Sequence, residues 1–282
     1  MGTGKSTILD YVFKLTRVVQ VFSASGKVSN RQRLIEGFDI FTSCKIKTNY
    51  HTEIESEIVK EDDEKFIKTT REAIEPLVYI LNIIKTFDNI NKRKIEKTVY
   101  EQDDRKNYIL TDLDEDLDER ITDYVDYQLN LNKKLRNKGT EYDTVFAKQR
   151  YFIDTVNRLF LKTEKKINEE ENRLSFILND GKKILPYQLS SGEKQLLIIL
   201  LRVLNKDEKP SILLLDEPEI SLHFTWQYEL INIIRELNPN CQVIIATHSV
   251  SIFAKGWMDK LFYMNGKEGE ENVIRHKIPQ MV

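Results

Sequence analysis

The feature that most limits how this chain can fold is a pair of stretches in its last third. Tyr187-Gln188-Leu189-Ser190-Ser191-Gly192-Glu193-Lys194-Gln195 is a polar turn with one glycine, and it runs straight into the apolar residues 196–201. Ile212-Leu213-Leu214-Leu215-Asp216-Glu217-Pro218 is an apolar run that ends abruptly in two carboxylates and a proline. Ser190 followed three residues later by Glu193 is a capping box, so a helix starts here. The same serine, the bare backbone at Gly192 and the positive end of that helix also suit an anionic phosphate. The 212–215 run reads as a strand buried on both faces, as strands of parallel sheets are. Carboxylates at the C-terminal end of such a strand stand where open α/β sheets place their ligands. They are costly there unless a cation or a proton uses them.

The residues around this pair extend the pattern. Leu174 to Leu178 and Ile184 to Tyr187 flank Asn179-Asp180-Gly181, a hairpin signal that delivers the chain to Leu189. After Pro218 come Glu219-Ile220-Ser221-Leu222-His223 and a helix carrying Trp226, Leu230, Ile233, Ile234 and Leu237. Asn238-Pro239-Asn240 turns the chain into a second apolar strand over 242–246, with Thr247-His248-Ser249 at its end. In this arrangement Asp216 would bind a metal directly or through water, Glu217 would polarise an attacking water, and His248 would reach a phosphate.

The first residues carry the other half of such a site. Met1-Gly2-Thr3-Gly4-Lys5-Ser6-Thr7 matches the end of the pattern G-x-x-x-x-G-K-[ST]. Its glycines let backbone N–H groups curl around phosphate oxygens, with Lys5 on the β/γ-phosphates and Ser6 on Mg²⁺. The first glycine of the pattern would fall before Met1, and the strand that feeds such a loop is absent from the sequence, so the chain reads as N-terminally truncated. Residues 7–17 follow as an amphipathic helix, 18–22 as a short strand, and 39–59 as edge strands. Gln20 and Gln32 both fit a metal-sensing glutamine, and spacing does not choose between them.

Residues 60–173 change character: they are charged and glycine-poor. Ile67, Ile74, Leu77, Val78, Leu81 and Ile84 recur at helical spacing, and Phe146, Ile153, Val156, Phe160 and Ile167 suggest a second long helix. An acidic run over 112–126 and a basic cluster of Lys133, Lys134, Arg136 and Lys138 lie between them. Solvated helix surface explains both runs; a phosphate-backbone contact is the sharper reading of the basic one. The expected organisation is an N-terminal part of the phosphate-binding lobe over 1–59, a helical insertion over 60–173, and the C-terminal part of that lobe over 174–282. The fold class is α/β, with a mostly parallel sheet flanked by helices.

Composition sets the outer limits. A net charge of −2 over 282 residues gives no global basic field that would draw the chain to nucleic acid. The two cysteines, Cys44 and Cys241, have no metal-like spacing and read as free thiols of a reducing cytoplasm. No apolar run reaches the length of a membrane span.

Taken together, GTGKST, LSSGEKQ, ILLLDEPE and ATHS resemble, in that order, the ABC-class P-loop ATPases, within them the SMC/RecF/OLD-like group. The motif-bearing part covers residues 1–20 and 187–265. The resemblance implies that Gly2, Thr3, Gly4, Lys5, Ser6 and Thr7 bind ATP, and that Ser6 and Asp216 hold Mg²⁺. It assigns Leu189, Ser190, Ser191, Gly192 and Glu193 to the signature motif, Glu219, Ser221 and Leu222 to the D-loop, and Glu217 and His248 to catalysis. It implies a homodimer of heads in which Ser190 of one copy meets the γ-phosphate held by the other. The wording PEISLH…WQ and the insertion resemble anti-phage ATPases of Septu and retron type. That implies an effector partner such as a nuclease, toxin or reverse transcriptase, with DNA a further candidate. A non-hydrolysing ATP-dependent scaffold is the alternative, and a transporter ATPase ranks below it.

Overall fold

Ser211–Asp216 forms a strand because four consecutive aliphatic residues give it two faces to bury. Leu213 and Leu215 point into the main core and Leu214 lies fully covered on the opposite face. In the computed structural model, residues 111–136 and 141–262 are described with their side chains, the helix containing the first range runs on to Lys138, and seven earlier strands are described by their backbone. The seven are β1 Gln32–Arg33, β2 Ser43–Lys47, β3 Glu53–Glu61, β4 Glu64–Glu72, β5 Ile80–Lys85, β6 Ile95–Glu101 and β7 Asp104–Leu110. Ser211–Asp216, here β11, is the middle of a parallel sheet. Its neighbours are β5 on one side and Cys241–Ala246, β12, on the other.

This corrects the helical reading of residues 64–110. Leu81 and Ile84 in β5 stand three apart, a spacing that fits a helix and equally a strand of a parallel sheet, whose two faces are both apolar. Long-range pairing decides between them: β3 and β4 zip antiparallel from Glu53↔Glu72 to Glu61↔Glu64, with β1 and β2 on the outside. β5, Ile-Leu-Asn-Ile-Ile-Lys, pairs in parallel register with β11 from Ile80↔Ser211 to Lys85↔Asp216. The edge-strand reading of 39–59 holds for β2 and β3. The P-loop residues, the helix over 7–17 and the strand over 18–22 lie outside the described residues.

Helices do fill the second half of the expected insertion. α1, Asp112–Lys138, is capped at its start: Thr111 N–H and Oγ1–H both donate to Asp114 Oδ2, at 2.9 and 2.7 Å. A short turn of helix, α2 Tyr142–Val145, precedes α3, Ala147–Leu159. α3 stops well before Ile167, contrary to the expected long helix. Glu164 adopts φ 57° and reverses the chain, so 165–167 becomes strand β8 instead. β9, Phe176–Leu178, pairs antiparallel with β8 and with β10, Lys183–Ile184. The turn of this expected hairpin uses Gly181 at φ 83°, a conformation that suits glycine.

The capping box at Ser190 starts α4, Ser191–Leu204. Residues 196–201 are completely buried, which explains why the sequence there is apolar on every side. α1, α3 and α6, Leu230–Leu237, all pack on α4. Where α1 and α4 touch, ion pairs tie them: Lys194 Nζ to Asp114 Oδ1 at 2.6 Å, and Arg202 Nη2 to Asp116 Oδ2 at 2.5 Å. Asn205 Nδ2–H also donates to the Arg120 carbonyl at 3.0 Å. The expected helix after His223 is split into α5, Phe224–Gln227, and α6, but Trp226, Leu230, Ile233, Ile234 and Leu237 are buried as their spacing implies.

Candidate functional site

The C-terminal ends of β11 and β12 meet at one edge of the parallel sheet. The ladder closes at Asp216↔Ala246, and one step beyond it the Glu217 N–H donates to the Ala246 carbonyl at 2.8 Å. Glu217 then turns left-handed, with φ 47° and ψ 51°. For a residue with a Cβ that conformation costs about 1–2 kcal/mol, and such strain collects at functional sites. Pro218 follows and opens a 3₁₀ turn over Pro218–Ile220. Past the other strand, His248 presents Nε2 at 3.6 Å from Glu217 Oε1. The His248 ring is largely exposed and the Glu217 carboxylate three-quarters covered. The structure therefore brings together two residues singled out as catalytic, thirty-odd positions apart in sequence, with Asp216 beside them.

The 219–222 loop is built against this pair. Glu219 Oε1 accepts the His248 backbone N–H at 2.7 Å. Gln227 Nε2 donates to the Glu219 carbonyl at 3.3 Å and the Leu222 carbonyl at 3.0 Å. Its Oε1 accepts from Ser249 Oγ–H at 2.8 Å. Leu222 itself is buried. Among the described residues Glu219 Oε2 and Ser221 Oγ are buried with no hydrogen-bond partner.

Ser190 approaches from the other side. A Cβ placed on Gly192 would sit 2.5 Å from the Ser221 carbonyl oxygen, so only glycine lets α4 and the 219–222 loop touch. Ser190 and Ser191 are exposed, while Glu193 is buried and Leu189 is covered. The two halves of the capping box are both made: Ser190 N–H donates to Glu193 Oε2 at 2.8 Å, and Glu193 N–H to Ser190 Oγ at 3.4 Å. Glu193 Oε1 accepts from Lys165 Nζ at 2.8 Å and from Thr163 Oγ1–H at 2.7 Å. Burial, the largest influence, pushes this carboxyl up. The hydrogen bonds from Lys165, Thr163 and Ser190 outweigh it together and leave Glu193 below the usual carboxylate range.

Gly2, Thr3, Gly4, Lys5, Ser6 and Thr7 lie outside the described residues, as does Gln20. Gln32 is placed by its backbone in β1, opposite Ile67. In the basic cluster, Lys134 pairs with Asp207 and so contributes less free charge than the sequence suggests. Sequence reasoning missed Gln227, Ser249, Thr163 and Lys165. Their partners lie far off in the chain, and the one local trace is a carboxamide next to buried Trp226. It also missed β5, which carries Lys85 to the register position of Asp216.

Residues 2–254 match the model of a family described as "AAA domain, putative AbiEii toxin, Type IV TA system". The chain is 26% identical over 182 residues to the "Retron Vc95 probable ATPase" of Vibrio cholerae serotype O1 biovar El Tor, covering 60% of this chain and 33% of that protein. It is 26% identical over 161 residues to the oligopeptide transport ATP-binding protein OppD of Mycoplasma genitalium, covering 54% of this chain and 38% of the relative. The chain thus spans little more than a third of the length of these curated relatives. Among solved structures it is similar to the SMC head domain from Thermotoga maritima, at 16% identity and a TM-score of 0.30, over 72% of this chain and 67% of that one.

Proposed function

The chain belongs to this AAA-domain family, an ABC-like group of P-loop ATPases, and from that premise we propose that it is a nucleotide-binding head that hydrolyses ATP. One observation carries the reading: Glu217 and His248 meet at 3.6 Å at the C-terminal end of parallel strands, with the 219–222 loop joining them to the Ser190 turn. A carboxylate there can take a proton from water, and a neighbouring imidazole can donate to a phosphate oxygen. Asp216, half-buried at the end of β11, is the hard oxygen donor that Mg²⁺ takes alongside substrate phosphates. Bound Mg²⁺ would neutralise charge on those phosphates. Lys5 and Ser6 are assigned to the same nucleotide by their motif alone.

Exposed Ser190 supports the further reading that a second copy supplies the opposite nucleotide contact. The relative named as a retron ATPase supports a role in a defence complex with an effector partner. The scaffold reading, in which ATP is bound but not hydrolysed, is separated by one experiment. Steady-state phosphate release with Mg²⁺ and ATP is compared between wild type and Glu217→Gln. Loss of the base is expected to lower turnover by about 10²–10⁴-fold. The variant with ATP is expected to sediment at twice the monomer mass. Wild-type release no faster than that of the variant would leave the scaffold.

A further inference from the structure

Gln227 is buried at the start of the helical region after the 219–222 loop, and its side-chain hydrogen bonds go to neither Glu217 nor His248. Three of its hydrogen-bonding positions are nevertheless filled. Both N–H groups go to carbonyls at the two ends of one loop, Glu219 and Leu222, and the oxygen goes to Ser249, next to His248. The orientation of the carboxamide is dictated by chemistry: carbonyls only accept, so the NH₂ must face them and the oxygen must face the hydroxyl. A second tie runs parallel to it, from the His248 N–H to the Glu219 carboxylate at 2.7 Å.

We propose that Gln227 is a positioning residue for the hydrolytic site, a clip that makes the 219–222 loop and the 247–249 turn move as one body and so holds His248 at Glu217. Three features give the clip a purpose beyond stability. The loop it grips is in contact with α4 through Gly192, so a shift of the Ser190 turn reaches the loop. The loop also contains two buried polar atoms without partners among the described residues, which marks it as the least satisfied part of the site. His248, whose backbone N–H the loop holds, brings its Nε2 within 3.6 Å of Glu217 Oε1, so a movement of the loop reaches the catalytic pair. Gln227 converts the position of the loop into the position of the imidazole.

This inference rests on the hydrolytic reading, and its test separates the two. Two variants of the full chain are used: Gln227→Met, which keeps length and loses all three bonds, and Ser249→Ala, which loses one and leaves the buried position untouched. Amide hydrogen exchange over residues 247–250 is measured together with kcat and KM. Exchange of the His248 amide is expected to rise about tenfold in Gln227→Met and less in Ser249→Ala, with the double variant no faster than Gln227→Met alone. kcat is expected to fall severalfold while KM stays put, since the substitutions loosen the imidazole at the reacting phosphate and leave the residues 2–7 assigned to ATP binding unaltered. Should Gln227→Met fail to fold, Ser249→Ala carries the same comparison. Unchanged exchange in a folded variant overturns the clip, and so does raised exchange with wild-type kcat. A wild type that releases no phosphate overturns both the hydrolytic reading and the catalytic purpose of the clip, whereas unchanged exchange in an active enzyme overturns the clip alone.

Discussion

Glu193 shows how a single side chain is asked to do several things at once. It caps α4, anchors the Ser190 hydroxyl and accepts the Lys165 ammonium, while itself being 1% exposed. Because its folded carboxyl sits below the usual carboxylate range, its contribution to stability is present above the unfolded value and is lost as pH falls through the folded value. The stability gap between wild type and Glu193→Gln is therefore expected to be widest near neutral pH and to close in acid, as read from urea midpoints at a series of pH values. A gap that widened in acid would mean that the carboxyl is not held ionised. Gly192 poses the opposite case, where what matters is an absent atom. Gly192→Ala must push the Ser221 carbonyl aside, and overpacking of this kind costs about 1–3 kcal/mol. The thermal midpoint is expected to drop by several degrees, with amides of the 219–222 loop exchanging faster than those of β11.

At the scale of elements, the closest partnership between described helices is that of α1 with α4. Lys194 and Asp114 are both more than nine-tenths buried and pair at 2.6 Å. Removing one member of such a pair strands the other, at about 3–5 kcal/mol, while replacing both by apolar residues is close to neutral. Lys194→Met alone is thus expected to lower the urea midpoint sharply, and the Asp114→Leu, Lys194→Met double variant to recover most of the loss. An additive double variant would show that the two side chains do not depend on each other. The elements also show what a sequence can reveal. β11, β12 and α4 were legible because long apolar runs met polar stops at Asp216, Thr247 and the Ser190 cap. The strands from β4 to β7 were not. Leu81 and Ile84 in β5 satisfy a helical spacing as well, and what selects the strand is a partner elsewhere in the chain.

For the whole molecule, the same distinction separates the two layers of the site. Asp216, Glu217 and His248 could be read from where apolar strands end, since strand ends in a parallel sheet share one edge. The ties from Gln227, Thr163 and Lys165 could not, because each bridges segments whose approach is decided by packing. No helix among the described residues is long and apolar enough to cross a membrane. The family match runs through both layers, over residues 2–254.

The parallel sheet joins strands of very different provenance. β12 follows β11 after one short excursion through α5 and α6, whereas β5 comes from far upstream. Closing a small loop is entropically cheaper than closing a large one. The Asp216–Glu217 edge is therefore expected to assemble with its histidine neighbour early during refolding, and to wait for β5 to dock before the strand is sealed on its second side.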